Sequence, residues 1–468
     1  MSVAKPASRA GKAPAVAVIG AGWAGCAAAV ELAAAGCTVT LFEAARSLGG
    51  RARGVELHAR MLDNGQHILL GAYNDTLRLL RRVGIDAKTA LLHLPLQMRY
   101  PPASGGMDFL APRLPAPLHL AVALLRAKGL TMADKMALAR FSSTARWMGW
   151  QLHTDCSVSE LLERFDQTER LVQLMWRPLC LAALNTPPER ASAQVFLAVL
   201  RDSLGAGRAA SDMLLPRRDL GALFPVAACA FIERHGGAVR CGAKVVSIAQ
   251  ESSGWRVETA GHAVGGNASA HFDAVVLATA PPAAAALLQS LQLLPEATHL
   301  VALVDQLSAF DYEPISTCYL QYGPDVRLAL PFYALLDDPA RDHWGQFVFD
   351  RGQLDSAQAG LLSVVVSASG AAAALDQAVL AQAIALQLAA VFQRPELASP
   401  AWCQVITGRR ATFACTPGLQ RPATATGLPG LVLAGDYTAS EYPATLETAV
   451  RSGAAAAKAI LTMAAPAR

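Results

Sequence analysis

Charged residues are scarce in this sequence, and so are long uninterrupted apolar segments. Of the 468 residues, 16% are charged and 53% are hydrophobic, whereas soluble proteins average about 25% charged residues. High hydrophobicity with little charge excludes intrinsic disorder. The length is sufficient for two or three domains of about 100–200 residues each.

No segment meets the requirement of a membrane-spanning helix, which needs about 18–20 nearly uninterrupted apolar residues. Pro117–Leu125 is apolar but short, and Arg126 and Lys128 follow it. The stretch 371–392 is interrupted by Asp376 and three glutamines. The sequence therefore predicts a protein without spanning helices.

The first residues contain cations but no apolar signal-peptide core, so we interpret 1–13 as a flexible tail. This pattern predicts a cytoplasmic protein. The segment 113–128 combines leucines with flanking basic residues, as interfacial helices do. It is consistent with peripheral contact on the inner face of the cytoplasmic membrane.

The sequence also lacks the signatures of metal and nucleic-acid binding. None of its nine cysteines has CxxC spacing, so we expect reduced thiols and no metal. The net charge of +4 is small for this length and predicts no nucleic-acid partner. The oligomeric state remains open.

A dinucleotide-binding motif lies near the N-terminus. The valine-rich run Ala15–Ile19 is typical of a buried parallel strand, and Gly20-Ala-Gly22-Trp-Ala-Gly25 follows it directly. The glycines permit a tight turn, close approach of a pyrophosphate and close packing of the next helix. Glu43 ends the second predicted strand and stands where a ribose-binding carboxylate is expected after such a motif.

Two further glycines and an arginine decide which dinucleotide is expected. Gly49-Gly50-Arg51 follows the second predicted strand and can return the chain over a pyrophosphate with a bidentate cation. This element resembles the corresponding one in the FAD-dependent amine oxidase and phytoene desaturase superfamily. The resemblance implies FAD as cofactor.

The superfamily resemblance extends to later parts of the chain. The segment from Asp63 to Gly71 takes the place of a segment that passes beside the flavin ring. Near the C-terminus, Gly435-Asp436 follows a strand and precedes the last helix, where relatives hold the ribityl chain and the flavin pyrimidine. The implied FAD-binding residues are Gly20, Gly22, Trp23, Ala24, Gly25, Glu43, Ala44, Gly49, Gly50, Arg51, Gly65, Gln66, His67, Val245, Gly435, Asp436, Thr445 and Leu446.

We therefore expect an α/β fold, α+β overall, with a discontinuous Rossmann-like FAD-binding domain of the amine oxidase/phytoene desaturase type. An inserted substrate domain of mixed sheet and helix completes it. The predicted FAD-binding parts are 14–90, 212–282 and 400–468, and the substrate parts are 91–211 and 283–399.

More specific blocks resemble the hydroxysqualene dehydroxylase family of bacterial hopanoid synthesis. These blocks are 63–73, 176–192 and 211–221, together with Gly435-Asp436 and Pro443–Glu447. The resemblance implies removal of the allylic hydroxyl of hydroxysqualene by reduced FAD, giving squalene. The implied partner is thus a long apolar isoprenoid, for which the structure should provide a dry, apolar tunnel.

Loss of a hydroxyl group requires a general acid, because hydroxide is a poor leaving group. His67 and Asp63 lie in the segment expected beside the flavin and are the first candidates, each with a structural role as the alternative. Tyr437, Glu441 and Tyr442 follow the Gly-Asp turn and are secondary candidates. Arg177 is a further candidate for a functional role, and membership of a buried ion pair is the alternative.

Other functions remain open. A carotenoid- or squalene-type desaturase would use the same FAD elements with hydride transfer in the opposite direction. A non-catalytic prenyl-lipid carrier with a vestigial nucleotide fold is the alternative from another class. A flavin amine oxidase is disfavoured, since no clear aromatic pair precedes the Gly-Asp turn.

Overall fold

The computed structural model describes residues 13–260, 268–291 and 299–464. Its strands, in chain order, are β1 Ala15–Ile19, β2 Thr38–Glu43, β3 Gly54–Leu57, β4 Arg60–Asp63, β5 Leu69–Leu70, β6 Leu91–Leu94, β7 Gln97–Arg99, β8 Asp108–Leu110, β9 Met213–Pro216, β10 Ala238–Cys241, β11 Val245–Glu251, β12 Gly254–Thr259, β13 Ala268–Phe272, β14 Ala274–Leu277, β15 Tyr312–Gln321, β16 Phe332–Ala334, β17 Phe347–Asp350, β18 Leu361–Val366, β19 Trp402–Phe413 and β20 Leu431–Leu433.

The helices are α1 Trp23–Ala34, α2 Asn74–Arg82, α3 Ala87–Ala90, α4 Leu118–Arg126, α5 Met132–Trp147, α6 Val158–Arg164, α7 Glu169–Leu171, α8 Arg177–Leu184, α9 Ala193–Ser203, α10 Leu220–Leu223, α11 Pro225–Arg234, α12 Pro281–Gln289, α13 His299–Ser308, α14 Gln377–Phe392 and α15 Leu446–Ala464. A π-helical turn, Val172–Trp176, joins α7 to α8. Within the described ranges, no helix is both long enough and apolar enough to cross a membrane.

A five-stranded parallel sheet has the order β10-β2-β1-β14-β20. Its central strand β1 explains the continuous apolar run in the sequence. Val16 and Val18 enter the core that contains α1 and α15, whereas Ala17 and Ile19 enter the other large core. Both faces of the strand are buried, as in other parallel sheets.

Close helix packing on this sheet depends on glycines. A Cβ on Gly25 would lie 1.8 Å from the carbonyl oxygen of Gly20, so α1 can approach the turn only without a side chain there. Likewise, a Cβ on Gly453 of α15 would lie 2.2 Å from the carbonyl oxygen of Ala24 in α1. The two contacts seat α15 on α1, and α1 on the turn that follows β1.

A second five-stranded sheet, antiparallel, has the order β16-β17-β18-β15-β19. Helix α14 covers one of its faces in a separate apolar core. Gln387 of α14 is fully buried and satisfied: its Oε1 accepts from the Gly345 N–H, and its Nε2 donates to the carbonyls of Leu336 and Gly345. Helix α14 therefore packs within the protein, and the buried amide of Gln387 has hydrogen-bond partners there, as buried polar groups normally do.

The segment from residue 400 contributes to both large sheets. In the predicted FAD-binding part 400–468, β19 (Trp402–Phe413) pairs with β15 in the antiparallel sheet. Only β20 and α15, which follow it, lie with the parallel sheet. The local pattern could not reveal this, because an edge strand's partner is chosen by contacts distant in sequence. The proposed domain boundaries stay predictions.

The Gly453 contact predicts a specific destabilisation. We expect Gly453→Ala to lower the free energy of unfolding by about 1–3 kcal/mol, because its Cβ overlaps the backbone of α1. Gly207 is the matched control, since a Cβ there meets no atom within 4 Å and φ is −67°. Denaturant unfolding should show a shift of at most about 0.5 kcal/mol for Gly207→Ala. Equal shifts in the two variants would contradict this packing.

Candidate cofactor and active site

The turn between β1 and α1 presents free backbone and open space. Gly22 is the N-cap of α1, and a Cβ at this position would meet no atom within 4 Å. The first N–H groups of a helix have no intrahelical acceptor and attract anions. Trp23 and Ala24 contribute backbone here, whereas the Trp23 side chain is buried and its Nε1 donates to Ala52 O at 3.2 Å.

Glu43 holds this turn from the end of β2. Its Oε2 accepts from the Ala21 N–H at 2.8 Å and its Oε1 accepts from the Ala45 N–H at 2.8 Å. Each carboxylate oxygen retains capacity for another donor such as a ribose hydroxyl. Ala44 lies between, and the carbonyl of Glu43 accepts from Ala243 N–H at 2.9 Å. This bond places the segment just before β11, and thus before Val245, at the end of β2.

The Gly49-Gly50-Arg51 loop lies directly on the turn. The Gly49 N–H donates to Ala21 O at 2.9 Å, and a Cβ on Gly50 would lie 3.2 Å from the Cα of Gly22. Both glycines have positive φ, +103° and +62°, which other residues rarely adopt. The sequence motifs 20–25 and 49–51 are thus one structural unit.

Arg51 connects this unit to the Gly-Asp turn near the other end of the chain. Its Nη2 pairs with Asp436 Oδ1 at 2.5 Å and its Nη1 donates to Ala411 O at 2.9 Å. Arg421, which sequence reasoning missed, donates to the carbonyls of Asp436, Ser440 and Tyr442. No motif marks Arg421, because its acceptors are backbone atoms.

The start of α15 is fixed by a contact with α2. Thr445 caps the helix, its Oγ1 accepting from Thr448 N–H at 3.1 Å, and Leu446 begins it. Buried Glu447 accepts from the backbone N–H groups of Asp75 and Thr76, at 3.1 and 2.9 Å. The carboxylate thereby satisfies the free donors at the start of α2. The positive end of α15 stays beside the Gly-Asp turn, where it favours an electron-rich group.

Asp63 is fully buried at the end of β4, and its oxygens contact the protein. Oδ1 accepts from the Leu220 N–H at 2.7 Å, and Oδ2 lies 3.9 Å from Nη1 of buried Arg351. Burial raises the pKa of Asp63 to about 6, although Arg351 and the Leu220 N–H act in the opposite direction. Its carbonyl accepts from the Tyr319 hydroxyl at 2.8 Å. This pKa is suitable for a general acid, but the carboxyl contacts join β4 to α10 and to Arg351.

Gln66 and Arg351 continue this network beneath the predicted flavin-facing segment. Gln66 Oε1 accepts from Arg351 Nη1 at 3.0 Å and from Ser363 Oγ at 3.2 Å. Arg351 Nε also donates to Gln358 at 2.9 Å. Residues 63–67 are therefore anchored to the antiparallel sheet by a buried cation that sequence reasoning did not identify.

His67 has a defined orientation and tautomer. Its Nδ1 lies 2.8 Å from Gly65 O, a contact that requires a proton on Nδ1. Nε2 makes no hydrogen bond within the described residues. Burial lowers the pKa of His67 below 6.5, so the ring is mostly neutral at pH 7. Gly65 leaves space beside it: a Cβ there would be 3.6 Å from His67 Cε1 and 3.9 Å from Thr317 Oγ1.

Four buried hydroxyls lack a partner in the described residues, and all lie around these motifs: Thr279, Tyr312, Thr317 and Tyr437. Thr279 adjoins Gly20, Thr317 adjoins Gly65, and Tyr437 follows Asp436 directly. Buried polar groups normally find partners. The unpaired hydroxyls, the open space at Gly22 and the two free helix starts fit a cofactor with phosphates, hydroxyls and ring oxygens.

Two of the three secondary candidates for catalysis have polar partners elsewhere. The Tyr442 hydroxyl bonds Asp202, and Arg201 Nη2 lies 2.9 Å from Glu441 Oε2, so both candidates attach to α9. Tyr437 is buried against Phe310, with ring centroids 6.2 Å apart. Polar contacts therefore hold Tyr442 and Glu441 to α9.

The 176–192 block is positioned by Asn185, which ends α8 at φ +48°. Its Nδ2 donates to Glu313 O and Thr412 Oγ1, and its Oδ1 accepts from the Ala368 N–H at 2.6 Å. Arg177, at the other end of α8, pairs with Asp337 at 3.1 Å. Arg177 thus forms an ion pair, but its side chain is 35% exposed and the pair is not buried; the pair joins α8 to the segment before β17.

Two cavities adjoin these elements. One of about 180 Å³ is lined by Arg177, Asp337 and Trp344. The other, of about 340 Å³, is lined by Phe310 and residues 416–420. The second lies at the low end of the size range of ligand pockets, about 300–1,000 Å³. The tunnel that we expected for a long isoprenoid stays a prediction.

Comparisons with known proteins agree with this geometry. The family model described as "Flavin containing amine oxidoreductase" matches residues 23–461. A hydroxysqualene dehydroxylase from Sinorhizobium fredii is 30% identical over 458 residues, covering 94% of this chain and 96% of that protein. A probable zeta-carotene desaturase from Synechococcus elongatus is 25% identical, covering 95% of this chain and 98% of that protein.

Among solved structures, cyclohexylamine oxidase from Brevibacterium oxydans is similar with a TM-score of 0.66. It is 18% identical, and the alignment covers 96% of this chain and 99% of that one. At this identity the likeness concerns the fold alone.

The space at Gly22 predicts a variant that folds but binds FAD poorly. Alanine fits the Gly22 backbone, yet its Cβ enters the space expected for a pyrophosphate. We expect Gly22→Ala to change the unfolding free energy of the flavin-free protein by at most about 0.5 kcal/mol. Fluorescence titration with FAD should show at least a ~10-fold weaker Kd, about 1.4 kcal/mol. Wild-type affinity would contradict this placement.

The buried carboxyl of Asp63 predicts a pH-dependent stability. The pKa of Asp63 in the folded protein is raised to about 6. The contribution of the protonated carboxyl to the unfolding free energy is therefore present at low pH and is lost as the pH rises through 6. Asn is neutral at every pH and accepts from the Leu220 N–H. Relative to wild type, Asp63→Asn should gain about 1–3 kcal/mol in unfolding free energy between pH 4.5 and 7.5.

The control for this prediction is Asp86→Asn, because Asp86 caps α3 at the exposed surface and Asn caps a helix equally well. Its stability relative to wild type should stay constant over the same pH range. A flat profile for Asp63→Asn would show that the carboxyl ionises without cost.

Proposed function

This chain belongs to the family of flavin-containing amine oxidoreductases, and from that premise we propose that it reductively removes the allylic hydroxyl of hydroxysqualene. It is thus a flavin-dependent oxidoreductase, for which we propose a long isoprenoid alcohol as substrate. The observation that carries the proposal is the 30% identity to a hydroxysqualene dehydroxylase over nearly the full length of both chains. The blocks 63–73 and 176–192, both held by buried hydrogen bonds, support it.

The proposed reaction balances as R–OH plus two electrons and two protons giving R–H and water. The allylic C–O bond breaks, a C–H bond forms at the same carbon, and the oxygen leaves as water. Reduced FAD, when bound, supplies a hydride, and therefore both electrons. The protein must deliver one proton to the leaving oxygen and keep water away from the allylic cation.

We propose that the cofactor is held by the unit formed by residues 20–25, Glu43 and 49–51, with the Gly-Asp turn and the start of α15. In this arrangement, Arg51 and the start of α1 attract the phosphates. Thr279 and Tyr437 add hydroxyls that have no other partner within the described residues. Thr445 and Leu446 present the helix N–H groups that stabilise negative charge on the flavin pyrimidine.

We assign the proton delivery to His67 and a positioning role to Asp63. His67 Nδ1 is held by Gly65 O, which leaves Nε2 for the substrate oxygen. The neutral ring can accept from the hydroxyl group, and after protonation it can donate to the leaving oxygen. Asp63 is fully buried, with Oδ1 bonded to the Leu220 N–H and Oδ2 near Arg351, and in this proposal it fixes the segment that carries His67.

This assignment is tested with the anaerobic, dithionite-reduced protein and hydroxysqualene, using mass spectrometry to quantify squalene. We expect His67→Asn to lower kcat by about 10²–10⁴-fold. Wild-type kcat should rise as the pH falls toward the lowered pKa of His67, and this dependence should vanish in the variant. His153→Asn is the control, since His153 is exposed on a loop.

Formation of no squalene by the flavin-loaded wild type would overturn the proposed reaction. The similarity to a carotene desaturase favours the second candidate, oxidation of an acyclic isoprenoid. Incubation of the oxidised protein with an acyclic carotene, followed by product analysis, tests this second candidate directly. Purification of a colourless protein unable to bind added FAD would favour the carrier hypothesis instead.

A further inference from the structure

An apolar surface lies outside the site described above. It consists of exposed large side chains on and before two helices, which we call the α4–α5 surface: Leu114, Leu118, Leu125, Met132, Met136 and Trp147. Trp147 is 86% exposed, Leu125 69% and Met132 68%. A cluster of this kind in a protein usually marks an interaction site.

The spacing of these residues places the exposed apolar side chains of each helix on one face. On α4, Leu118, Ala121 and Leu125 are exposed and follow one another at intervals of three and four residues. On α5, the exposed residues Met132, Met136, Ala139, Ser143 and Trp147 lie on one face, which is apolar apart from Ser143. The opposite face of α5 buries Leu138 and Phe141 in the core.

A hydrogen bond brings the end of the exposed α4 face next to the start of the exposed α5 face. Lys135 Nζ donates to Leu125 O at 2.8 Å, joining the first turn of α5 to the last turn of α4. Leu125 is therefore adjacent to the region of Met132 and Met136. The end of α4 and the start of α5 thus form one patch, and Trp147 lies further along the same face of α5.

The patch is surrounded by positive charge. Residues 111–150 contain the six cations Arg113, Arg126, Lys128, Lys135, Arg140 and Arg146, and the single acid Asp134. Asp134 is buried and hydrogen-bonded to Thr131 and Thr168. None of the six cations forms an ion pair within the described ranges. This segment therefore carries +5, whereas the whole chain carries +4.

We propose that the α4–α5 surface docks on an anionic lipid bilayer. Large apolar side chains and an exposed tryptophan next to unpaired cations are the features of interfacial helices on negatively charged membranes. A second copy of the chain is disfavoured, because a symmetric contact would oppose +5 to +5. This inference concerns a surface separate from the catalytic site and does not depend on the identity of the substrate.

The test is co-sedimentation of the full-length, flavin-loaded protein with vesicles of phosphatidylcholine alone and with vesicles that mix phosphatidylcholine and anionic phosphatidylglycerol. We expect binding to the anionic vesicles that weakens in about 0.5 M NaCl, as screening shortens the range of charge attraction. The double variant Leu125→Ser/Trp147→Ser should lower the bilayer partition coefficient at least ~10-fold, because it removes buried apolar area. Its flavin absorbance and circular dichroism should match wild type.

The matched control is Val379→Ser/Leu386→Ser, which alters two residues of α14 that are 57% and 53% exposed. Its partitioning should equal wild type. Absent vesicle binding, or equal loss in both double variants, would overturn the proposal. A dimer in sedimentation velocity that only the first variant dissociates, without vesicle binding, would assign the surface to a second copy. Turnover of detergent-solubilised hydroxysqualene reports on the proposed reaction independently.

Discussion

The turn between the first strand and the first helix exists only because residues 20 and 25 lack side chains. A Cβ on Gly25 would collide with the Gly20 carbonyl, so any larger residue would push α1 off the sheet. The rest of the cofactor site is attached to this turn. Glu43 and Gly49 bond Ala21 from either side, and Gly453 seats α15 on the next residues of α1. A local steric constraint thereby sets the relative position of segments from opposite ends of the chain.

A second, electrostatic constraint organises the segment that we place beside the flavin. Asp63 and Arg351 are both fully buried, and they link residues 63–67 to α10 and to the antiparallel sheet. The raised pKa of Asp63 indicates that this link is unfavourable for the ionised carboxyl. Buried ion pairs seldom add stability, and their value often lies in specifying an arrangement. Here the arrangement fixes the segment that carries His67, and the proton delivery that we propose for His67 depends on where Nε2 points.

The excess of apolar residues in the sequence lies in two places in the structure. Most of it fills the two large cores on either side of the parallel sheet and the core beneath α14. A smaller part is exposed on α4 and α5. The segment that contains these helices carries +5, whereas the whole chain carries +4. The first use stabilises the fold, and the second is the basis of the proposed membrane contact. Low overall charge thus hides a strongly uneven charge distribution.

Local patterns in the sequence determined the elements whose cause is local. The β1–turn–α1 unit follows from strand hydrophobicity and from glycines that satisfy φ and close packing, and the family match agrees with the flavin fold inferred from them. Only the tertiary structure decided the partners of buried polar groups. Glu447 meets α2, Asp63 meets α10 and Arg351, and β19 joins the antiparallel sheet. The sequence did not indicate Thr279, Tyr312 or Arg421 as site residues, since their roles depend on the residues that the fold brings near them. Periodicity and glycine placement record short-range sterics, whereas a buried side chain's partner is set by the packing of the entire chain.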